Sequence, residues 1–129
     1  MKIIIKKIQQ FLLKLYLNLR SMLIKVFKIG RNPDFMIIGA QKAGTTSLFE
    51  YIKRFGTNFY APLQKETRFF TEFYEKGIHY YQSFFPNTHR GVTGEATPTY
   101  LFYHKSPERV AKHYPKMKFI VLLRNPIDR

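Results

Sequence analysis

The residues best equipped for chemistry stand in one stretch, Gly39-Ala40-Gln41-Lys42-Ala43-Gly44-Thr45-Thr46-Ser47-Leu48. A short apolar run, Phe35 to Ile38, leads into it, and an amphipathic segment from Thr45 to Phe55 leads out. A strand, a glycine-bounded turn and a helix in that order make a cradle for an anion, because the loop and the helix N-terminus aim backbone N–H groups at one point. Gly39 and Gly44 have the spacing of the two glycines in a Walker A loop, but that loop carries its lysine directly after the second glycine. Here Thr45 holds that position and Lys42 lies inside the loop. The expectation is a loop that holds a phosphate-like group through Lys42, Ala43, Gly44, Thr45, Thr46 and Ser47 without being an ATPase loop.

Two further residues have the right chemistry. Glu66, in Lys65-Glu66-Thr67-Arg68-Phe69-Phe70, is a carboxylate between two cations, Lys65 and Arg68, which favour its ionised form, and the two phenylalanines anchor the loop. Arg124 follows the apolar run 118–123, where a guanidinium offers a bidentate fork to a phosphate. Glu95 and Thr97 read equally well as structural or as binding residues. His79, His89, His104 and His113 have no metal-ligand spacing, so no metal is expected.

These residues need a scaffold. Strands are expected at Phe35–Ile38, Val92–Ala96 and Lys118–Leu123, the last an uninterrupted apolar run suited to a buried central parallel strand. Helices are expected from Thr45 to Arg54, from Ile78 to Phe85, and from Ser106 to about His113, with Ser106 as N-cap and Pro107 in the first turn. Residues 59–77 read as loop, and the aromatics of Phe69–Phe85 as a satellite core cluster or, less simply, a sugar-stacking wall. Strands alternating with helices imply an α/β three-layer fold with a central parallel sheet. Ligands bind such folds at the carboxyl ends of the strands, where both the Gly39–Ser47 loop and Arg124 fall.

The N-terminal part, residues 1–30, reads as a separate unit from 31–129. A single helix over residues 2–29 would place Ile4, Ile8, Phe11, Leu12, Leu15, Leu19, Met22, Leu23 and Val26 on one face and Lys6, Lys7, Lys14, Arg20, Lys25 and Lys28 on the other. Its lysines interrupt every apolar run before the roughly 20 residues of a membrane span. Three readings stay open: a helix lying on an anionic membrane surface, a helix packed on protein, and a signal anchor. Residues 1–33 carry eight basic residues and no acid, so the remaining 14 basic residues face all 8 acidic ones and residues 34–129 balance at +6. That surplus suits an anionic ligand. Nucleic acid is a poor partner, since the arm opposes its charges to an apolar stripe instead of interleaving them with stacking aromatics. The chain has no cysteine, which excludes disulfides and Cys-ligated zinc and is compatible with a reducing compartment. A cytoplasmic location, with membrane association through residues 2–29, is the expectation.

With these residues in place, a resemblance emerges. Gly39–Leu48 resembles the 5′-phosphosulfate loop of sulfotransferases that use 3′-phosphoadenosine 5′-phosphosulfate (PAPS). Lys65–Phe70 is similar to the Lys-Glu-x-x-Phe-Phe segment of the heparan sulfate N- and 3-O-sulfotransferase branch. Gly94–Tyr100 resembles that branch's Glu-Lys-Thr/Ser-x-x-Tyr segment, and Ile120–Arg129 the start of its 3′-phosphate loop. Four motifs in order, over residues 34–129, make the match specific. It implies a P-loop-NTPase-like fold, PAPS as sulfate donor, Lys42 and Glu66 as catalytic residues, Arg124 at the 3′-phosphate, and a hydroxyl or amine acceptor, with carbohydrate as the expected class. Arg129 could take part or be structural.

One departure stands out: the branch's lysine after the motif's glutamate is Ala96 here, which leaves the acceptor open. The branch also places a 3′-phosphate serine beyond the position of Arg129. The chain therefore reads as the N-terminal half of a sulfotransferase domain, truncated after its last strand and inactive alone. The competing readings are a P-loop nucleotide kinase and a non-catalytic membrane-binding fragment; the strand at 118–123 ending in Arg124, where a kinase-type loop needs an acid, counts against the first.

Overall fold

A computed structural model describes residues 1–128; Arg129, assigned to the 3′-phosphate loop by resemblance, lies outside the described residues. Three parallel strands, β1 (Phe35–Gly39), β2 (Gly94–Ala96) and β3 (Lys118–Val121), form a sheet in the order β2-β1-β3. Phe35 is in register with Gly94 on one side and Lys118 on the other. Past Ile37 the β1–β3 register shifts, and the two segments stay paired through Leu122 N–H to the Gly39 carbonyl and Ala40 N–H to the Leu122 carbonyl, both 2.8 Å.

Alternation along β1 splits the interior into two cores. Ile37 faces one side with Ala96 and Phe49 of helix α2 (Thr45–Phe55), flanked by Phe35, Phe59 and Ile120. Met36 faces the other, against Phe69, Phe70, Tyr80, Tyr81, Phe84, Phe85, Tyr100 and Val110. The aromatic segment is thus the larger core itself, neither a satellite nor a sugar wall: Phe69, Phe70, Tyr81 and Phe85 are fully buried. The expected loop at 59–77 contains a π-helical turn over Phe69–Phe73 and a 3₁₀ turn over Tyr74–Lys76. Helix α3 (Ile78–Gln82) stops three residues before Phe85, and helix α4 spans Ser106–His113. Lys105 takes the N-cap position of α4, and among the described residues the buried Ser106 hydroxyl has no hydrogen-bond partner, so the cap expected of Ser106 is not made.

The apolar run at 118–123 does form a parallel strand, but not a buried central one. β3 is at the edge of the sheet, with Phe119 and Val121 exposed.

Helix α1 (Lys2–Phe27) has two apolar stripes. The stripe that docks is the narrower one, Leu13, Leu17 and Ile24, with Leu17 and Ile24 almost fully buried; Leu13 and Leu17 pack on the aromatic core, and α1 packs against α3. Arg20 lies on the same face and donates to the carbonyls of Ser83 (2.8 Å) and Phe85 (2.5 Å). The broad stripe evident in the sequence points away: Leu15, Leu19, Met22 and Val26 are 47–71% exposed. Arg31 is buried as well, bound to Asp34 at 3.0 Å and to the carbonyls of Thr88 and Gly91. Two of the arm's eight cations are thus committed inside the protein.

Candidate functional site

The loop between β1 and α2 has the shape an anion cradle requires. Lys42 (φ 57°) and Gly44 (φ 96°) both adopt left-handed conformations, and Gly44 is the N-cap of α2. A left-handed turn at that point favours glycine. The first intrahelical bond is Leu48 N–H to the Gly44 carbonyl, 3.0 Å, so the N–H groups of Thr45, Thr46 and Ser47 have no helical acceptor. No side chain caps them. Of these residues Thr45 and Thr46 line a cavity of about 390 Å³, together with Gln41, Lys42, Gly44, Glu66 and Pro98. Thr45 is buried and Lys42 exposed, so the cavity is lined by both a buried threonine and a solvent-exposed cation.

Glu66 comes to this cavity from a segment 20 residues away in sequence. Its carboxylate is 3.0 Å from the Lys65 ammonium, which also donates to Thr46 Oγ1 at 2.7 Å. Lys65 thus ties the Glu66 segment to the loop between β1 and α2. Sequence alone assigns Lys65 only an electrostatic role, although its place beside Glu66 in the motif is a signal. Arg68 makes no such link and pairs with Glu72 at 3.4 Å. A deeper apolar cavity, of about 270 Å³, lies between Ile38, Tyr100, Val110 and Phe119 and contains none of the charged residues of the cradle.

The remaining candidates are placed less centrally. Ala43 closes the turn through its N–H to the Ala40 carbonyl, 3.3 Å, and does not line the cavity; nor does the exposed Ser47 side chain. Arg124 is exposed, two residues beyond Leu122, whose backbone is bonded to Gly39 and Ala40 at the root of the cradle loop. It stands at the same end of the sheet as the cavity without lining it. Among the described residues no group of three His, Asp or Glu side chains is arranged to hold a metal.

Glu95 is the residue whose part is least visible in the sequence. It is fully buried, and its carboxylate accepts from Thr67 N (3.2 Å), Thr67 Oγ1 (2.6 Å), Thr97 Oγ1 (2.7 Å), Tyr81 OH (2.6 Å) and Tyr100 OH (3.0 Å). Burial pushes its pKa up, and these donors oppose the rise. Burial and the adjacent carboxylate push Tyr81 and Tyr100 well up, so both remain O–H donors.

No protein-family model matches the sequence. Individual relatives do. The human heparan sulfate glucosamine 3-O-sulfotransferase 6 is 38% identical over 100 residues, 77% of this chain and 29% of that protein. Mouse heparan sulfate glucosamine 3-O-sulfotransferase 3B1 is 35% identical over 98 residues, 75% of this chain and 25% of its own length. Mouse bifunctional heparan sulfate N-deacetylase/N-sulfotransferase 4 is 36% identical over 106 residues, 75% of this chain and 12% of its own length. The chain therefore spans under a third of each of these relatives. A crystal structure of a sulfotransferase from Alicyclobacillus acidocaldarius superimposes with a TM-score of 0.62 at 31% identity, over 76% of this chain and 47% of that one. The P-loop-like fold, the cradle and the relatives agree: over three quarters of its length this chain belongs to the sulfotransferase family, with the heparan sulfate 3-O- and N-sulfotransferases among its relatives.

Proposed function

We propose that the chain carries the 5′-phosphosulfate half of a PAPS-dependent sulfotransferase site and acts in sulfuryl transfer to a hydroxyl or amine, with a carbohydrate as the acceptor class. The observation behind this reading is the cavity that brings Lys42, the uncapped N–H groups of Thr45 and Thr46, and Glu66 to one place. The fit to a phosphosulfate rests on that donor set: unpaired backbone N–H groups and Lys42 around a space of molecular size, with Lys65 bonded to two of the lining residues, Thr46 and Glu66. PAPS, when bound, supplies the sulfuryl group. Lys42 and the N–H groups of Thr45–Ser47 hold negative charge at the rim, and Lys42 stabilises the charge that grows on the leaving phosphate oxygen. Glu66, displaced from its contact with Lys65, takes the proton of the attacking hydroxyl or amine. Arg124 extends the anionic site toward a 3′-phosphate.

Titration calorimetry with 3′,5′-ADP, the desulfated product, tests the reading. Binding is expected in the wild-type chain, with a loss of at least tenfold in Lys42→Ala and in Arg124→Ala. Absence of 3′,5′-ADP binding together with clear binding of ATP–Mg²⁺ would sink it in favour of a kinase-like loop.

The exposed stripe of α1 favours a second property. We propose that it rests on an anionic membrane surface. Large apolar side chains from Ile4 to Val26 face outward along the whole helix, and Lys7, Lys14 and Lys25, seven and eleven residues apart, form a row along one edge of that stripe. No helix among the described residues is long and apolar enough to cross a membrane. The chain should co-sediment with phosphatidylserine-containing vesicles and not with pure phosphatidylcholine ones. Binding that persists in a Leu15→Glu/Leu19→Glu double variant, or a lipid-free dimer that buries the stripe, contradicts the proposal.

A further inference from the structure

The buried carboxylate of Glu95 does more than satisfy itself. The backbone N–H groups of four consecutive residues end on it, directly or through a single hydroxyl. Thr67 N reaches it directly at 3.2 Å. Arg68 N donates to Thr97 Oγ1 (3.3 Å), Phe69 N to Thr67 Oγ1 (3.3 Å) and Phe70 N to Tyr100 OH (3.4 Å), and each of these hydroxyls donates in turn to Glu95. Thr67 and Arg68 lead into the π-helical turn Phe69–Phe73, with Arg68 in a left-handed conformation (φ 52°) as its N-cap, and Phe69 and Phe70 are its first two residues. A single capping side chain meets one or two such donors; this carboxylate gathers four. On the other side of Glu66, the Lys65 carbonyl accepts from Ala96 N–H at 2.9 Å. Glu66 is therefore flanked on both sides by residues tied to β2 or to its side chain. Its own side chain leaves that anchored backbone toward the cavity and is 41% exposed.

No cation pairs with Glu95 among the described residues, and the next residue, buried Ala96, carries no charge. A carboxylate buried without a cation is expensive unless its lone pairs are met. Here hydroxyls and one amide meet them, so its charge organises the loop instead of neutralising a partner.

We propose that Glu95 is a positioning residue for the sulfuryl-transfer site: through the Thr67, Thr97 and Tyr100 hydroxyls it locks residues 67–70 and thereby sets Glu66 against the Gly39–Ser47 cradle. The proposal rests on the reading of Glu66 as the base.

The test combines three measurements on the full-length protein: hydrogen exchange of the amides of Thr67–Phe70, 3′,5′-ADP affinity, and sulfuryl transfer from PAPS to heparan sulfate. Glu95→Gln places an amide donor among hydroxyl donors. Exchange at 67–70 should quicken at least tenfold and kcat should fall at least tenfold, while KM for PAPS and the 3′,5′-ADP affinity stay within twofold. Should Glu95→Gln fail to fold, Thr67→Val, which removes the central hydroxyl at nearly constant volume, should produce the same split, and Thr67→Ser should restore both exchange and kcat. Unchanged exchange and unchanged kcat in folded variants overturn the proposal, as does an equal loss of 3′,5′-ADP binding, which would mark a general structural role. If Glu66→Gln leaves transfer intact, the base reading fails separately, and amide exchange at 67–70 alone decides whether Glu95 organises the loop.

Discussion

Tyr81→Phe isolates the charge on Glu95 without touching the segment that carries Glu66. The Tyr81 hydroxyl is fully buried, its one hydrogen bond goes to Glu95 Oε1 at 2.6 Å, and its ring packs on Phe69, Phe70 and Phe85. Phenylalanine keeps those ring contacts and removes only the donor. A hydrogen bond to an ionised group contributes about 1.5–3 kcal/mol. The unfolding entropy of a chain of 129 residues is about 0.27 kcal/mol/K, so the melting temperature should fall by about 6–11 °C at pH 7. The sign with pH follows from Glu95, whose pKa burial raises above 4.5. A carboxyl raised on folding contributes stability below its unfolded pKa and loses it as pH climbs through the folded value. Loss of the Tyr81 donor penalises the ionised form most, because a neutral carboxyl is a weaker acceptor. The deficit of Tyr81→Phe should therefore be full above the folded pKa of Glu95 and shrink as pH falls through it toward 4.5. Thermal or urea unfolding of both proteins between pH 4 and 8 measures this. A deficit below about 0.5 kcal/mol at pH 7, or one that does not change with pH, would refute the assignment of Glu95 as a charged acceptor held by its hydroxyl shell.

Two shorter expectations concern α1. Arg20→Ala removes both guanidinium bonds to the carbonyls of Ser83 and Phe85 and should cost about 2 kcal/mol in urea unfolding; an unchanged midpoint would mean that Leu17 and Ile24 alone dock the helix. Vesicle binding through the lysine row should weaken as salt rises from 0.05 to 0.5 M, roughly the range over which the Debye length drops from about 14 to about 4 Å. Salt-independent binding would point to the apolar stripe acting without the charges.

Much of the cradle was legible because it depends on neighbours in sequence. An apolar run, two glycines at fixed separation and an amphipathic segment specify β1, the loop and α2, and the helix extends one residue past the expected Arg54, to Phe55. The resemblance placed Glu66 beside it, and the structure brings the two together. What failed depended on partners. Lys118–Leu123 has the composition of a central strand, but exposure is set by what lies on either side, and among the described residues β3 has a neighbouring strand, β1, on one side. For α1 the periodicity shows the broad stripe Ile4–Val26 and leaves the docking face open: contact is made by Leu13, Leu17, Arg20 and Ile24, a stripe with a cation in it. The Glu95 shell could not be read at all, because its hydroxyls come from positions 67, 81, 97 and 100, which no local period links.

Two carboxylates flank the backbone at Thr67, and they sit in different media. Glu66 is open to solvent and touches an ammonium, whereas Glu95 has no exposure and no counter-ion among the described residues. Mobile ions can crowd around the first and cannot approach the second. Ionic strength should thus tune the charge that faces an incoming ligand while leaving the loop's anchor untouched, so the environment can alter how strongly this site attracts without altering the shape it presents.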